Sequence, residues 1–170
     1  MERTLKNLSD LERKFINSVI INSKTYAESA ESLNVDLKAI RQLYKDLESH
    51  WRPLIAIRNK WKSKQIGGDF WDFCYWYLSS EKRCRYCGIT EAELTKLHLI
   101  GIVNKRTSRG KTLEIDRMVS SEQYSNIKNL TYCCYWCNNA KTDTFTEEEF
   151  KVIGKAISTV WKKRLTNDIR

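Results

Sequence analysis

Two pairs of cysteines, each pair separated by two residues, constrain the fold more than any other feature of this sequence. Cys84 and Cys87 form the first pair, and Cys134 and Cys137 form the second. Two thiolates at this spacing can hold one tetrahedral ion, so the two pairs together predict a closed four-cysteine structural zinc site. Because the pairs lie far apart in the chain, a whole substructure must fold between them. Disulfides are the alternative, but nothing in the sequence indicates the oxidising compartment that they require.

The composition indicates a soluble basic protein. The chain has 170 residues, a net charge of +9 and 11% aromatic residues. This excess of positive charge indicates a polyanionic partner. Nucleic acid is the first hypothesis, and an acidic membrane surface is the second. The N-terminus lacks the apolar run of a signal peptide, and no later segment approaches the length of a transmembrane helix. We therefore expect an intracellular, cytoplasmic protein with reduced thiols and no membrane association.

Residues 1–50 are predicted to form three short helices. Capping boxes begin the first two helices at Ser9 and Thr25, and Asp36 is expected to cap the third. The tight turn between the last two resembles a helix-turn-helix. In that arrangement the third helix presents polar side chains to the DNA major groove: Lys38, Arg41, Gln42 and Lys45. An ordinary three-helix bundle with a solvated charged face is equally compatible with the pattern.

Residues 51–80 are expected to form a basic and aromatic helical connector. Between Trp51 and Lys64 every charged residue is basic. This excess of positive charge favours a segment that contacts a phosphate backbone, because a merely solvated surface usually carries charges of both signs. The aromatic run from Asp69 to Ser79 predicts a helix whose rings mainly fill core.

The remaining segment, residues 81–170, contains two short β-rich runs and a final helix. The runs cover His98–Val103 and Thr112–Val119, and a capping box at Thr146 begins the helix. Between the runs lies a basic loop whose charges serve either solubility or contact with a phosphate backbone. The arginines that such a contact would use are Arg106 and Arg109.

Asp116 lies at the end of a predicted strand, and Asn138 directly follows the last cysteine at a predicted helix start. If the strand and the helix pack together, their two oxygen-bearing side chains could hold one hard divalent cation, with water and phosphate oxygens completing the shell. Mg²⁺ held in this way would neutralise a scissile phosphate and stabilise the departing 3′ oxygen. The pair therefore suggests phosphodiester cleavage.

The cysteine pairs and their surroundings resemble the HNH, or ββα-metal, nuclease motif over roughly residues 81–165. The likeness rests on four segments: Cys84-x-Tyr86-Cys87-Gly88, Asp116-Arg117, Asn129-Leu130 and Cys134-x-x-Cys137-Asn138-x-x-Lys141. Within the family, the run at residues 86–92, the Leu97-His98 pair and the Asp116-Arg117 pair are most similar to a restriction endonuclease. The resemblance implies that Asp116 and Asn138 bind magnesium and that the four cysteines bind zinc. It also implies that Asn129 braces the loop between strand and helix.

Arg117 departs from the family pattern, which usually has a histidine general base at this position. Arginine stays protonated at any working pH, so it cannot accept the proton, but it can clamp the phosphate. The resemblance suggests Tyr86 instead, because some members of the family use a tyrosine where the histidine is missing. His98 and Tyr124 are the alternatives. A phenol near pKa 10 would need help from the metal or from Arg117 to accept a proton near neutrality.

The sequence thus predicts an α+β protein in which a helix-turn-helix-like region precedes a zinc-stapled HNH module with a C-terminal helix. The expected activity is that of a magnesium-dependent, sequence-specific, double-stranded DNA endonuclease of the restriction type, acting as a homodimer. A homing or phage-encoded endonuclease is the second enzyme hypothesis. The third hypothesis takes Arg117 as evidence that catalytic activity has been lost. It predicts a catalytically inactive, zinc-stabilised DNA-binding regulator.

Overall fold

The computed structural model describes residue 5, residues 7–103 and residues 109–166. The chain divides into two compact units, Met1–Ser80 and Glu81–Arg170. The first unit is helical where it is described, and the second combines helices with a small antiparallel sheet. The predicted α+β class is therefore confirmed. Among the described residues, none of the helices has both the length and the apolar character needed to cross a bilayer.

Local capping signals set the helices of the first unit. Ser9 and Thr25 each accept a backbone hydrogen bond from a glutamate three residues later, whose carboxylate bonds back to the capping residue. The first helix continues directly as a π-helix over Ile16–Ile21. The α-helices of this unit are α1 Asp10–Phe15, α2 Tyr26–Leu33, α3 Leu37–Asp46, α4 Glu48–Ser63 and α5 Phe70–Ser79.

The turn between α2 and α3 has the form that the sequence predicts. Asn34 ends α2 in the left-handed conformation, with φ of 52°, which asparagine tolerates better than most residues. Asp36 then caps α3 by accepting a hydrogen bond from the Ala39 amide at 2.6 Å. Because α2 and α3 pack against each other and Ile40 is fully buried, one face of α3 is fixed inward and the opposite face is exposed.

The core of the first unit lies where α4 packs against the π-helix and α5. Two of its large side chains have their polar ends bonded to backbone carbonyls. The indole of Trp51 donates to the Tyr44 carbonyl at 2.7 Å, and Arg58 donates to the Ile20 carbonyl at 2.6 Å. The predicted aromatic helix is present as α5, and Phe70, Trp71 and Phe73 on it are buried. These aromatic residues are core, as expected.

The second unit is built around an antiparallel pair of strands. Its elements are α6 Glu91–Leu99, β1 Glu114–Arg117, a 3₁₀ turn Ile127–Asn129, β2 Leu130–Cys133, α7 Tyr135–Lys141 and α8 Glu147–Thr166. Glu114 lies opposite Cys133 and Arg117 lies opposite Leu130. Helix α7 packs on β1, so the two strands and α7 form a ββα arrangement. The amide of Asn129 braces the connecting loop through both Val119 backbone groups, at 2.8 and 3.0 Å.

The prediction of a β-strand over His98–Val103 is wrong. His98 lies within α6, and the chain after this helix turns at Gly101, which has φ of 75°. A capping box at Thr90 begins α6, and Leu94 and Leu97 are buried at helical spacing. The apolar run is therefore the end of a helix followed by a turn. The strand that pairs with β1 is β2, which comes directly before the second cysteine pair.

Helix α8 lies along α6 and α7. The capping box at Thr146 is present, with Glu149 bonding back to the Thr146 amide at 2.9 Å. Phe150, Gly154 and Trp161 are the buried residues of α8. Through them the helix closes one side of the unit that carries the cysteine pairs.

Candidate metal centre and active site

The four paired cysteines converge in the second unit. Their sulfur atoms all lie within 4.8 Å of one another, all four residues are buried, and Cys87 Sγ is 3.7 Å from Cys134 Sγ. Four thiolates around tetrahedral zinc, at the usual zinc–sulfur distance, stand about 3.8 Å apart. All six cysteines of the chain are free in this structure, and the spacing of the four sulfur atoms favours a shared metal ion over disulfides. The predicted four-cysteine cluster is confirmed, and its donor set fits structural zinc.

Each cysteine pair is held by a short backbone motif. In the first, the Gly88 amide donates to the Cys84 carbonyl at 2.9 Å, and Gly88 has φ of 75°, a conformation that glycine adopts without strain. In the second, Cys134 is the N-cap of α7 and its sulfur accepts from the Cys137 amide at 3.4 Å. The second pair therefore fixes the start of α7 and with it the position of Asn138.

The two remaining cysteines are buried thiols. Cys133 adjoins the cluster and donates to the Cys134 carbonyl at 3.4 Å, and burial raises its pKa. Cys74 lies in α5 of the first unit, where burial raises its pKa to about 12. Both thiols are therefore protonated near neutral pH, and packing accounts for them.

Asp116 is a buried carboxylate on β1, with 8% of its surface exposed. Tyr86, which lies between the first two cysteines, donates its hydroxyl to Asp116 Oδ2 at 3.3 Å. Burial raises the pKa of Asp116, and the Lys141 ammonium, 4.0 Å away, acts in the opposite direction. Burial also raises the pKa of Tyr86, and the negative charge of Asp116 adds to that increase.

Lys141 is almost wholly buried, with 1% of its surface exposed. Its ammonium donates to the Arg117 carbonyl at 3.2 Å and to the Ser120 hydroxyl at 2.5 Å. These bonds join the last turn of α7 to the end of β1. Lys141 therefore supports the strand end that carries Asp116 and Arg117, and it does so from beneath the surface.

Asn138 faces β1 from α7, although its direct partner is a residue that the sequence did not single out. The Asn138 amide nitrogen donates to Glu114 Oε2 at 2.6 Å. Glu114 and Asp116 are two positions apart in a strand, so their side chains lie on the same face of β1. The structure thus brings Asp116 and Asn138 onto elements that pack against each other, and Glu114 bonds the strand to the Asn138 amide. In the sequence, the alternation of acidic and apolar residues at 114–116 was the one sign that Glu114 and Asp116 share a face of the strand.

Arg117 is held by groups at the rim of the site. Its guanidinium donates to the Glu122 carbonyl at 2.9 Å and to Asp143 at 3.3 Å, and it lies 4.9 Å from the ring centre of Tyr124. Within the described part of the chain, Arg117 Nε is buried and has no hydrogen-bond partner. The side chain is 25% exposed, so the guanidinium is placed but still reachable from solvent.

The alternative proton acceptors lie in different surroundings from Tyr86. A ring nitrogen of His98 is 3.0 Å from the Gly110 carbonyl, so the imidazole holds the turn before β1. Tyr124 packs against Arg117. Tyr86, in turn, donates its hydroxyl to Asp116.

Comparison with known proteins gives one informative relative. No family model matches the chain, and no curated protein matches it either. The solved structure of the rare-cutting HNH restriction endonuclease PacI is similar at 36% sequence identity, over 67% of this chain and 78% of that chain, with a TM-score of 0.49. This identity over more than two thirds of that chain is characteristic of members of one family. The chain belongs to the HNH endonuclease family.

The likeness to PacI that the Tyr86–Ala92 run and the Asp116-Arg117 pair predict is therefore confirmed. In this chain β1 carries the carboxylate of Asp116 followed by Arg117, α7 carries the amide of Asn138, and the Tyr86 hydroxyl bonds to the carboxylate.

The predicted DNA-contacting residues occupy three different settings. Arg109 forms an ion pair with Glu114 at 3.0 Å and packs over the Tyr135 ring, yet about half of its side chain is exposed. Arg106 lies outside the described residues. The four predicted residues of α3 are all exposed: Lys38, Arg41, Gln42 and Lys45. Of these, Gln42 donates to Asp46 at 2.7 Å on its own helix.

Proposed function

We propose that this HNH protein is a sequence-specific endonuclease that hydrolyses phosphodiester bonds of double-stranded DNA, with one Mg²⁺ in each active site. We further propose that it is a type II restriction enzyme acting as a homodimer. The observation that carries the proposal is the 36% identity to an HNH restriction endonuclease. A second observation supports the proposal: the buried carboxylate of Asp116 lies on β1, against which the amide-bearing helix α7 packs.

Asp116 and Asn138 would hold the magnesium ion. A carboxylate and an amide oxygen are hard donors of the kind that Mg²⁺ prefers. Asp116 is buried, so its negative charge is poorly solvated and a bound cation would stabilise it, adding to the compensation that the Lys141 ammonium supplies from 4.0 Å. When bound, Mg²⁺ neutralises charge on the scissile phosphate and stabilises the departing 3′ oxygen.

Arg117 would bind and orient the phosphate. Its guanidinium carries a permanent charge and a planar set of donors suited to phosphate oxygens. Asp143, its present carboxylate partner, is 81% exposed, and an ion pair so exposed to water is weak. A phosphate group can therefore displace Asp143 at little cost and take over the Arg117 contact.

Tyr86 would accept the proton from the attacking water. Its hydroxyl lies 3.3 Å from Asp116. Burial, followed by the negative charge of Asp116, holds its pKa above the ordinary value, so in the isolated protein the phenol stays protonated. To accept a proton, the phenol must first release its own proton to solvent. A cation bound beside Asp116 would cancel the contribution of that carboxylate to the raised pKa of Tyr86 and so favour this release. The proposal therefore requires that Tyr86 act only in the assembled complex with DNA and cation.

Cleavage of supercoiled DNA in the presence of Mg²⁺ tests the activity. The wild-type protein is expected to produce nicked and linear products, and Asp116→Asn and Asn138→Ala are expected to produce neither. Tyr86→Phe should lose cleavage while keeping DNA binding and zinc content. Tyr75→Phe is the matched control, because it also removes one phenol hydrogen bond, to Arg13 at 3.2 Å, in the other unit.

Two outcomes would change the proposal. Full cleavage by Tyr86→Phe would transfer the proton-accepting role to His98 or Tyr124. The absence of nicking by the wild-type protein across a complex DNA library, with zinc bound and DNA binding intact, would replace the nuclease by a zinc-stabilised DNA-binding regulator.

We propose that residues 1–50 read the DNA sequence through α3, that residues 51–80 connect them to the nuclease, and that residues 81–170 cut. Truncating a side chain that reads a base edge should cost about 1–3 kcal/mol of binding to the target and relax specificity at one position. Arg41→Ala and Gln42→Ala test this role. Lys45→Ala should weaken binding to all sequences alike and reduce the salt dependence. The exposed arginine Arg109 would add a backbone contact, and so would Arg106.

The target site and the oligomeric state require separate measurements. Sequencing the ends of products from a complex DNA library gives the site and the stagger of the cut. A homodimer predicts a palindromic site, because two-fold symmetric proteins bind two-fold symmetric half-sites. Sedimentation of the protein with and without the identified duplex measures the dimer directly. A monomer on an asymmetric site would contradict this part of the proposal.

A further inference from the structure

Glu114 forms polar contacts with both α7 and the segment before β1. Its Oε2 accepts from the Asn138 amide nitrogen at 2.6 Å. Its two oxygens also accept from Arg109, which donates from Nη2 at 3.0 and 3.1 Å and from Nε at 3.1 Å. The Glu114 side chain is 19% exposed. This carboxylate therefore joins the segment before β1 to the middle of α7.

The bond to Glu114 decides which way the Asn138 amide faces. An ionised carboxylate only accepts hydrogen bonds, so the Asn138 atom that it contacts must be the amide nitrogen. The amide group is planar, and its oxygen is therefore held on the side away from Glu114. A hard cation binds an asparagine side chain only through that oxygen. Without Glu114, the terminal amide torsion has two broad minima that exchange the nitrogen and oxygen positions.

Arg109 keeps Glu114 in this role. Its guanidinium engages both oxygens of the carboxylate and lies 4.7 Å from the ring centre of Tyr135, at the start of α7. A bidentate arginine fixes both the position and the plane of a carboxylate. Glu114 is thus held by the Arg109 guanidinium and by the Asn138 amide.

We infer that Glu114, held by Arg109, is a positioning residue that orients the Asn138 amide so that its oxygen is presented to the cation site. The inference rests on the proposed function, because it assumes that Asn138 is a metal ligand. It goes beyond that function in assigning a role to a residue outside the catalytic set. It also gives Arg109 a task that is separate from DNA contact.

The first test reads the orientation of the amide without any metal. In the zinc-loaded full-length protein, the side-chain NH₂ signals of Asn138 are assigned by their disappearance in Asn138→Asp. A short bond to a carboxylate is expected to shift one of the two amide protons strongly downfield. That shift should vanish in Glu114→Ala and persist in Glu147→Ala. Asn138 signals that are the same in Glu114→Ala and wild type would overturn the inference.

Glu147 is a matched control. It is paired with an arginine, Arg85, at 2.8 Å, and its side chain is 15% exposed, so it resembles Glu114 in partner and in burial. Its polar contacts are with Arg85 and Lys151. Glu147→Ala therefore reproduces the loss of a half-buried, arginine-paired carboxylate without touching the Asn138 amide.

The second test measures Mn²⁺ binding to the same proteins by electron paramagnetic resonance of the free ion, with and without a DNA duplex. Glu114→Ala is expected to weaken Mn²⁺ binding by about 10–100-fold, the usual effect of removing a group that orients a ligand. Glu114→Gln should lose less, because its amide oxygen can still accept from Asn138. Glu147→Ala should bind Mn²⁺ like the wild type. Zinc content and the melting temperature establish that each variant is folded.

Two reference variants separate failure of this inference from failure of the proposed function. If Asp116→Asn and Asn138→Ala lose Mn²⁺ binding and Glu114→Ala does not, the inference is overturned and the nuclease site stands. If neither reference variant affects Mn²⁺ binding, the proposed site itself is wrong, and the inference is overturned with it. Equal losses in Glu114→Ala and Glu147→Ala would also overturn the inference, since they would reflect lost charge rather than lost orientation.

Discussion

Gly154 lets helix α8 approach the first cysteine pair more closely than any other residue would allow. A Cβ atom built at this position would lie 2.6 Å from the Tyr86 carbonyl oxygen, 2.8 Å from the Tyr86 carbonyl carbon and 3.0 Å from the Tyr86 Cβ. Real Cβ atoms essentially never approach another atom closer than 3.0 Å. Gly154→Ala therefore forces either α8 or the backbone at Tyr86 to move.

The sign of the stability change follows from two opposing effects. In the interior of an exposed helix, replacing glycine by alanine stabilises by about 0.8–1.0 kcal/mol. Overpacking a buried contact costs about 1–3 kcal/mol. Here the obstruction is backbone that leads into two cysteines of the metal cluster, so the cost should lie near the upper end of this range. We expect Gly154→Ala to destabilise the protein by about 1–2 kcal/mol, with a fall in melting temperature of roughly 2–4 °C per kcal/mol for a chain of 170 residues.

Urea unfolding of the zinc-loaded protein measures the change. Ala156→Gly is the control, because this residue is exposed on the same helix and should lose about 1 kcal/mol through helix propensity alone. At temperatures where Gly154→Ala is still folded, its cleavage rate should also fall, since Tyr86 is displaced relative to Asp116. An increase in stability of about 1 kcal/mol in Gly154→Ala, mirroring the control, would refute the reasoning.

Three further perturbations test other parts of the structure. Ser29→Ala should destabilise by about 1–3 kcal/mol in urea unfolding, because it leaves the buried Ser18 hydroxyl without its partner at 2.8 Å. The Ser18→Ala/Ser29→Ala double variant should be close to neutral, and additive losses would contradict this. Lys141→Met should cost about 3–5 kcal/mol, since it removes the buried ammonium that compensates Asp116; unfolding that matches the wild type would exclude such a role. Cys74, with its pKa raised to about 12 by burial, should resist iodoacetamide in the folded protein even after zinc is chelated. Mass spectrometry should find label on the cluster cysteines first, and early label on Cys74 would contradict its burial.

Features of the fold that depend on neighbouring residues could be predicted from the sequence. The capping boxes at Ser9, Thr25 and Thr146 are each complete within four residues, and each begins a helix in the structure. The cysteine pairs are equally local, and their chemistry leaves few ways to satisfy four buried thiolates together. The positions of these helices and the existence of the four-cysteine cluster follow from such signals.

The wrong strand at His98–Val103 shows where local reasoning fails. A short apolar run is compatible with a strand or with the end of a helix, and periodicity alone does not separate them. The deciding signal was the capping box at Thr90, where Glu93 bonds back to the Thr90 amide at 2.7 Å. It starts a helix early enough to include His98.

Glu114 could not be identified from the sequence for a different reason. Its importance depends on a contact with Asn138, twenty-four positions away, and on the particular way in which α7 packs over β1. A strand pattern gives the face on which a side chain lies, but not the residue that meets it from another element. The chemistry of Asp116 and Asn138 is readable from residue type and motif, whereas the contact that orients the amide appears only in three dimensions.

The position of Tyr86 links the metal cluster to the proposed chemistry. Tyr86 lies between Cys84 and Cys87, its hydroxyl reaches Asp116, and its ring packs edge-on against Phe150 of α8 at 5.1 Å. The loop that holds two cysteines of the cluster therefore also sets the distance from the phenol to the carboxylate. Zinc at this cluster would be structural, since all four proposed ligands are cysteines, and loosening of the cluster would also move Tyr86. Packing against α8 and attachment to the cysteine loop together fix this tyrosine, which is why a single added methyl group at Gly154 should affect both stability and cleavage.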